Sequence, residues 1–293
     1  MTVENGKEYD ITVVGGGPAG FTAALYSARA GRTVLLIEKG APGGQMGITS
    51  LIENYPGVEP SDGFSLAVKM EEQAKRAGAE ILHGEVTALS LDGETKIVTV
   101  GEKTVKTRAV IVATGAKPRL LGVGGEKEYT GHGVSYCATC DGMFFRKKSV
   151  VVCGGGETAF EDALYLSNIC EKVTLVHRRD SFRASEYTVG QAKKKDNIVF
   201  VTSATVTEIV GEGGRVNGVK ISYSDGREES LPCAGVFVAV GRVPETALFV
   251  GQLDCDGGGY IIAGEDCLTS AYGVFAAGDV RTKTVRTRRS AAR

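Results

Sequence analysis

The sequence predicts an α/β chain made of two Rossmann-like halves, and three observations carry that reading. A strand, a glycine-rich turn and a helix occur in that order near the N-terminus, and the same order recurs 154 − 15 = 139 residues later. A buried strand followed by a glycine and a proline also occurs twice, placed so that one half would sit inside the other. Alternation of strands with helices is the pattern of a parallel sheet, because each crossover back to the next strand needs a helix.

In the first half, Ile11–Val14 reads as a buried strand, and Gly15, Gly16, Gly17, Pro18, Ala19 and Gly20 then open an apolar helix that runs to about Ala30. A second strand, Thr33–Ile37, ends at Glu38, 38 − 15 = 23 residues after the first glycine. In a G-x-G-x-x-G turn the glycines let a pyrophosphate approach backbone N–H groups at the positive end of the helix. The acid beyond the second strand accepts hydrogen bonds from ribose hydroxyls. A carboxylate at this place suits the adenosine ribose of FAD or NAD.

In the second half, Val150–Cys153 leads into Gly154, Gly155, Gly156, Glu157, Thr158 and Ala159, then a helix to about Asn168 and a strand Val173–Val176. The position equivalent to Glu38 is 154 + 23 = 177, and there the chain has His177, Arg178 and Arg179, with Arg183 close behind. Guanidinium groups bind phosphate by paired, charge-assisted hydrogen bonds, whereas a carboxylate repels a 2′-phosphate. This half is therefore expected to prefer NADPH to NADH; the plainer alternative is that the arginines solvate a strand end.

Residues 109–118 (Ala-Val-Ile-Val-Ala-Thr-Gly-Ala-Lys-Pro) echo residues 235–244 (Gly-Val-Phe-Val-Ala-Val-Gly-Arg-Val-Pro). Both read as crossings between domains. The expected map is a first, discontinuous domain of residues 1–117 and 245–293, interrupted by a second of residues 118–244. Proline after each crossing would suit a two-stranded hinge, or ordinary turn chemistry.

Between the two glycine turns lies Cys137-Ala-Thr-Cys140, followed by Asp141. A C-x-x-C serves zinc sites, redox dithiols and plain packing alike. Zinc would need a second ligand pair, and the other five cysteines (153, 170, 233, 255 and 267) form no second C-x-x-C, while His83, His132 and His177 are scattered. No metal is expected. A redox pair is the favoured reading, and structural cysteines the alternative.

Composition narrows the function classes. With 34 basic against 35 acidic residues there is no global basic field for nucleic acid or an anionic membrane. Strictly apolar runs stop at five residues, as in Ala109–Ala113, far below the roughly 20 of a spanning helix. The polar N-terminus runs straight into a strand without the order of a signal peptide, so a cytoplasmic location is expected. An odd cysteine count of seven does not fit the paired framework of a small secreted domain, and most of these thiols should be reduced and buried.

Taken together, Gly15 to Gly20, Cys137 to Asp141, Gly154 to Ala159, His177 to Arg179 and Gly273-Val-Phe-Ala-Ala-Gly-Asp279-Val280 closely resemble the low-molecular-weight bacterial thioredoxin reductases, over residues 8 to about 286. The resemblance implies two Rossmann-like domains of the three-layer ββα type, with an NADPH domain that carries the C-x-x-C inserted into an FAD domain. It implies a homodimer and electron flow from NADPH through FAD to Cys137 and Cys140, and on to a thioredoxin-like protein. Carried over residue by residue, the FAD contacts would be Gly15, Gly17, Pro18, Ala19, Gly20, Glu38, Lys39, Gly43, Gly44, Gln45, Asn54, Val86, Thr114, Gly115, Gly278, Asp279 and Val280. The NADPH contacts would be Gly154, Gly156, Glu157, Thr158, Ala159, His177, Arg178, Arg179, Arg183 and Arg242. By the same resemblance Cys140 is the flavin-side sulfur, Cys137 the attacking thiol and Asp141 the proton donor and acceptor. Two alternatives stay open: Asp141 as a cap for the turn at Gly142, and Asp279 as a helix N-cap. The resemblance also implies that nucleotide and disulfide take turns at the flavin, with the paired crossings as hinge.

One segment departs from the pattern. Where the family continues into a helix that begins with an Arg-Gln pair, this chain has Thr287-Arg-Arg-Ser-Ala-Ala-Arg293, basic and without helical periodicity. The expectation attached to it is weaker FAD retention, and the alternative functions are another flavin-linked disulfide reductase or a catalytically impaired flavoprotein acting as a binding or redox-sensing module.

Overall fold

A computed structural model of the protein describes residues 6–49, 51–53 and 55–283. Asn54 and the basic segment 287–293 lie outside the described residues. The chain begins with β1 (Glu8–Val14), α1 (Pro18–Arg29), β2 (Val34–Glu38), α2 (Gly63–Arg76), β3 (Glu80–His83), β4 (Val86–Ser90), β5 (Lys96–Val100) and β6 (Lys103–Val112). After β7 (Ala116–Pro118) come β8 (Val134–Ser135), α3 (Ala138–Asp141), β9 (Ser149–Cys153), α4 (Glu157–Ser167), β10 (Lys172–Val176), α5 (Glu186–Lys193) and β11 (Ile198–Val201). An antiparallel run follows, β12 (Ala204–Glu212), β13 (Arg215–Tyr223) and β14 (Glu228–Pro232); the chain ends through β15 (Gly235–Val238), β16 (Arg242–Pro244) and β17 (Val274–Ala276). It divides into two compact units: residues up to Lys117 together with those from Val243 on, and Pro118–Arg242. At the crossings β7 and β16 pair with each other, so the division falls inside these short strands.

In the first unit β3-β2-β1-β6 form a parallel sheet, β17 adds to β6, and β4 and β5 extend it antiparallel. A parallel sheet must be covered on both faces, and alternate residues of each strand point to opposite faces. Val13, Val34, Leu36 and Ile81 accordingly pack under Phe21, Ala24 and Ala74 of the helices. Their neighbours Val14, Leu35, Ile37 and Leu82 pack with Val98, Val105, Phe249 and Ile261 on the other face. α1 begins with proline, whose missing N–H and fixed φ suit a first turn. α2 is capped by Asp62, whose carboxylate accepts from the Ser65 N–H.

The second unit repeats the plan. Its parallel sheet, in the order β11-β10-β9-β15-β8, puts Val150, Val152, Val173, Leu175 and Phe237 under Ala159, Phe160, Ala163 and Leu166 of α4. Val151, Cys153, Val176, Val236 and Val238 face Val206, Ile209, Val216, Val219 and Ile221 of the β12–β14 layer. Both units are therefore layered helix, parallel sheet, antiparallel strands. Read from sequence, β6 begins at Ala109, whereas it starts at Lys103. Its first half alternates buried Val105 and Thr107 with more exposed residues and pairs antiparallel with β5, so it lacks the continuous apolar run that marked its second half. Among the described residues no helix is long and apolar enough to cross a membrane.

Phe160 is wholly buried, with the Phe182 ring edge-on at 4.8 Å and the Phe200 ring stacked at 6.0 Å. Phe160→Ala is expected to cost about 3–5 kcal/mol of the second unit's stability, measured by urea unfolding of flavin-loaded protein; a cost below about 1 kcal/mol would show that the aromatic cluster closes over the cavity.

Candidate active site

Parallel pairing aligns Val14 with Ile37 and with Val112, and Val112 with Ala276. The segments that follow, at Gly15, Glu38, Ala113 and Ala277, thus emerge together at the carboxyl edge of the first sheet. Gly15 takes φ +110°, and a Cβ there would lie 2.5 Å from the Ala113 oxygen. A Cβ on Gly20 would lie 1.8 Å from the Gly15 oxygen, so the helix closes on the turn only because that residue is glycine. Gly17 differs: its φ is an ordinary −81°, and a Cβ would meet nothing within 4 Å. That open space lies at the start of α1, which has no side-chain cap, whereas α2 does.

The remaining expected FAD residues distribute around this turn. Gly43, at φ +103°, donates its N–H to Gly16 O at 2.8 Å, and a Cβ on Gly44 would come 3.8 Å from Gly17 Cα; Gln45 follows on an exposed turn. Gly278, at φ +80°, sits so close to Ala19 that a Cβ would be 2.8 Å from the alanine methyl, which brings Asp279 and Val280 beside Pro18–Gly20. Glu38 is already engaged: one carboxylate oxygen accepts from Gly16 N–H at 2.5 Å and the other from Gly40 N–H at 2.8 Å. Each oxygen has further lone-pair capacity for a ribose hydroxyl. Lys39 pairs with Glu245 at 3.4 Å, and the Thr114 hydroxyl donates to Glu245 O at 2.7 Å next to Gly115, so these residues also fasten the returning chain. Val86 places its side chain in the core, and its segment lies alongside Glu38 through the Gly84 N–H donated to Glu38 O. Asp279 does not cap the short turn in which it sits; it pairs with Lys283 at 2.7 Å.

The second sheet repeats the arrangement, with Cys153 aligned to Val176 and Val238, so Gly154, His177 and Ala239 emerge together. A Cβ on Gly154 would be 2.5 Å from Ala239 O and 2.7 Å from the Ala159 methyl, while Gly156, at φ −98°, has open space and heads an α4 without a side-chain cap. Gly155 lies flat on the His177 ring, 2.3 Å from where its Cβ would be. His177 is buried and its Nε2 lies 3.2 Å from Ser181 O. A carbonyl can only accept, so Nε2 carries the proton, and burial, with the neighbouring arginines, holds the ring neutral by lowering its pKa. The imidazole therefore backs the turn. The guanidinium-bearing residues Arg178, Arg179 and Arg183 are exposed beyond it, and Arg183 N–H is tied to Gly155 O at 2.8 Å. Glu157 accepts from Ser185 N–H at 2.8 Å and from the Thr188 hydroxyl, hydrogen bonds that lower its pKa and bind the start of α4 to α5. Thr158 is exposed in the first turn of α4, and Arg242 is half-buried at the end of the unit.

Two helix starts with free N–H groups, each beneath open space at the middle glycine, are cradles that a pyrophosphate fits. An acid flanks the first and arginines the second, so the residues present suit FAD and NADPH respectively.

The dithiol motif also belongs to the second unit. Cys137 and Cys140 form a disulfide with Cα atoms 5.3 Å apart. Cys137 is buried and stands at the N-cap of α3, where its sulfur accepts the Cys140 N–H at 3.0 Å; Cys140 is half-buried. Asp141 makes no cap bond to the turn at 142–145, against that alternative; its carboxylate lies 2.5 Å from the Ser135 hydroxyl. Sequence reasoning missed Ser135, since a serine six residues before an aspartate carries no periodic signal. The other cysteines are free thiols, buried at 153, 170 and 233 and half-exposed at 255 and 267. Desolvation pushes Cys170 up to about 11 and Cys233 up to about 12, so these do not compete as thiolates.

A disulfide in a unit that bears one dinucleotide cradle, in a chain that bears a second, defines a nucleotide-linked disulfide oxidoreductase. Residues 9–293 match the pyridine nucleotide-disulphide oxidoreductase family, and the chain belongs to it. Within that family it is similar to thioredoxin reductases. It is 48% identical over 281 residues to the thioredoxin reductase of Listeria monocytogenes, covering 96% of this chain and 88% of that one, and 44% identical over 281 residues to that of Bacillus subtilis, covering 96% and 89%. The crystal structure of thioredoxin reductase from Streptococcus pyogenes superposes with a TM-score of 0.88 at 43% identity, over 97% of this chain and 93% of that one. The protein is accordingly an enzyme that uses FAD and NADPH.

The open cradles give a sharp contrast between glycines. Gly156→Ala should fold normally and keep its flavin, because the methyl enters empty space, yet raise KM for NADPH about tenfold or more, equivalent to about 1.4 kcal/mol of binding. Steady-state kinetics and the flavin absorbance check this, and unchanged NADPH affinity would place the pyrophosphate elsewhere.

Proposed function

We propose that the chain reduces the disulfide of thioredoxin or a thioredoxin-like protein, with FAD held by the first unit, NADPH by the second, and Cys137 and Cys140 passing the electrons on. The observation that carries this reading is the Cys137–Cys140 disulfide beside Asp141 in the unit whose dinucleotide turn is flanked by Arg178, Arg179 and Arg183. When bound, the two cofactors supply a hydride and relay its electron pair to the disulfide. The protein does the rest. α1 and α4 offer their free N–H groups to the pyrophosphates, and Glu38 and the arginines distinguish a ribose hydroxyl from a 2′-phosphate.

In the oxidised pair the Cys140 N–H points at the Cys137 sulfur, a donor aimed at the atom that would carry the charge of the nucleophile, which supports Cys137 in that role. Its attack breaks the substrate disulfide and forms a Cys137–substrate bond, and the departing substrate sulfur takes the proton of Asp141. Asp141 then takes the proton of Cys140, whose sulfur attacks Cys137, restores the Cys137–Cys140 bond and releases the second substrate sulfur, which is protonated by solvent. Asp141 ends as it began, and the substrate has gained two electrons and two protons. The family resemblance further supports a homodimer, tested by light scattering at assay concentration, and a cytoplasmic location, tested by cell fractionation.

The reading is tested by NADPH-driven reduction of a thioredoxin. Cys137→Ser and Cys140→Ser should each abolish turnover while NADPH still bleaches the flavin. A thioredoxin that lacks its resolving cysteine should be trapped through Cys137; trapping through Cys140 would reverse the two sulfur assignments, and turnover surviving both changes would end the reading.

Arg178→Ala with Arg179→Ala should raise KM for NADPH at least about tenfold and leave NADH use unchanged, since a hydrogen bond to a charged group is worth roughly 1.5–3 kcal/mol. Equal rates with both nucleotides in the unaltered enzyme would show that these arginines only solvate a strand end.

A further inference from the structure

Ser135 lies on β8, two residues before the redox pair, and is 4% exposed. Its hydroxyl oxygen accepts the Cys137 N–H at 3.0 Å, lies 2.5 Å from Asp141 Oδ2, and lies 3.2 Å from the Cys137 carbonyl oxygen. A hydroxyl has one proton and two lone pairs, so these neighbours admit two complete arrangements. With Asp141 ionised, Ser135 donates to Oδ2. With Asp141 protonated, the carboxylic O–H donates to the second lone pair of Ser135, whose own proton turns to the Cys137 carbonyl. The hydroxyl keeps its partners in both arrangements, and only one hydroxyl rotates between them. No heavy atom has to move.

We infer that Ser135 is the positioning residue that lets Asp141 change protonation state in place, within the turn that carries both cysteines. This deepens the reading of Asp141 as proton donor and acceptor and rests on it. A serine needed only to order the backbone of the motif would require the contact to Cys137 N–H and nothing more. The contact to Asp141 is the addition, and Ser135 is the one side chain among the described residues that hydrogen-bonds this carboxylate. Without the hydroxyl, Asp141 loses the donor that stabilises its charged form and the acceptor that orients its neutral form. Each half of the proton cycle is then slowed, while the approach of substrate is not.

The test compares Ser135→Ala, Ser135→Thr, Asp141→Asn and the Ser135→Ala, Asp141→Asn double variant in FAD-loaded enzyme. Turnover with NADPH and thioredoxin is measured together with the rate at which NADPH alone bleaches the flavin. Ser135→Ala is expected to lower kcat about tenfold, a part of the 10²–10⁴ that a positioned acid–base group supplies, with KM for thioredoxin and flavin bleaching unchanged. Ser135→Thr, which keeps the hydroxyl, should recover most of the loss, and in the Asp141→Asn background Ser135→Ala should cost less than about twofold more. Ser135→Gly removes the same hydroxyl and repeats the comparison with a second residue. Unaltered kcat in Ser135→Ala and Ser135→Gly overturns the inference while leaving the role of Asp141 standing. So does a full tenfold loss that persists on top of Asp141→Asn, which would assign Ser135 to the backbone alone. Unaltered kcat in Asp141→Asn overturns the Asp141 reading and this inference with it.

Discussion

Everything functional in this chain depends on parallel pairing of strands that are buried on both faces. Parallel strands present all their carboxyl ends at one edge, so the loops that leave them meet there whatever their separation in sequence. Val14, Ile37, Val112 and Ala276 come from widely spaced segments, yet register places them in a row and the next residues form one cradle. The second unit does the same with Cys153, Val176 and Val238. The cost is that both faces must be covered, which explains why each sheet carries helices on one side and antiparallel strands on the other.

The two cradles share a backbone and differ in charge. In each, the outer glycine and the small residue five positions later relieve a contact that any larger side chain would block: Gly20 against Gly15 O in the first, Ala159 against Gly154 in the second. In each, the middle glycine lies under open space. What distinguishes them is the residue after the second strand. Glu38 turns its carboxylate onto the loop of its own cradle, while His177 turns a neutral ring under Gly155 and leaves the charge to the arginines beyond it. One fold thereby presents a carboxylate edge in one unit and a guanidinium-bearing edge in the other, the charges that suit a ribose hydroxyl and a 2′-phosphate respectively.

Motif-bearing strands and helices were legible in the sequence because they combine apolar runs with glycine turns at fixed spacing. α1 and α4 end within about a residue of where periodicity ends them. β4, β5 and the β12–β14 layer were not read, since half-exposed antiparallel strands such as Glu228–Pro232 carry mostly polar residues and no motif. Side-chain roles were less legible still. Glu157 reads as part of a nucleotide fingerprint, yet its carboxylate is spent on Ser185 and Thr188; Thr114 reads as a cofactor contact, yet its hydroxyl fastens Glu245. Such partners are 28 to 131 residues away, and only the folded sheet brings them together.

The redox motif shows how far local chemistry follows from local geometry. α3 is one turn long, too short to persist by propensity, and is set by the strand before it and the helix it packs on. Ser135 at the end of β8 fixes the Cys137 N–H, Cys137 at the N-cap then receives the Cys140 N–H, and Asp141 at the last position turns back to Ser135. Each bond constrains the next, so a sulfur with an N–H donor and a carboxylate with a hydroxyl partner arise within seven residues. A C-x-x-C in a flexible loop would have the same atoms without that closed ring of hydrogen bonds. Attaching the motif to the end of a buried strand is therefore what gives the two cysteines different places, Cys137 buried at the N-cap with the Cys140 N–H on its sulfur and Cys140 half-buried within the turn.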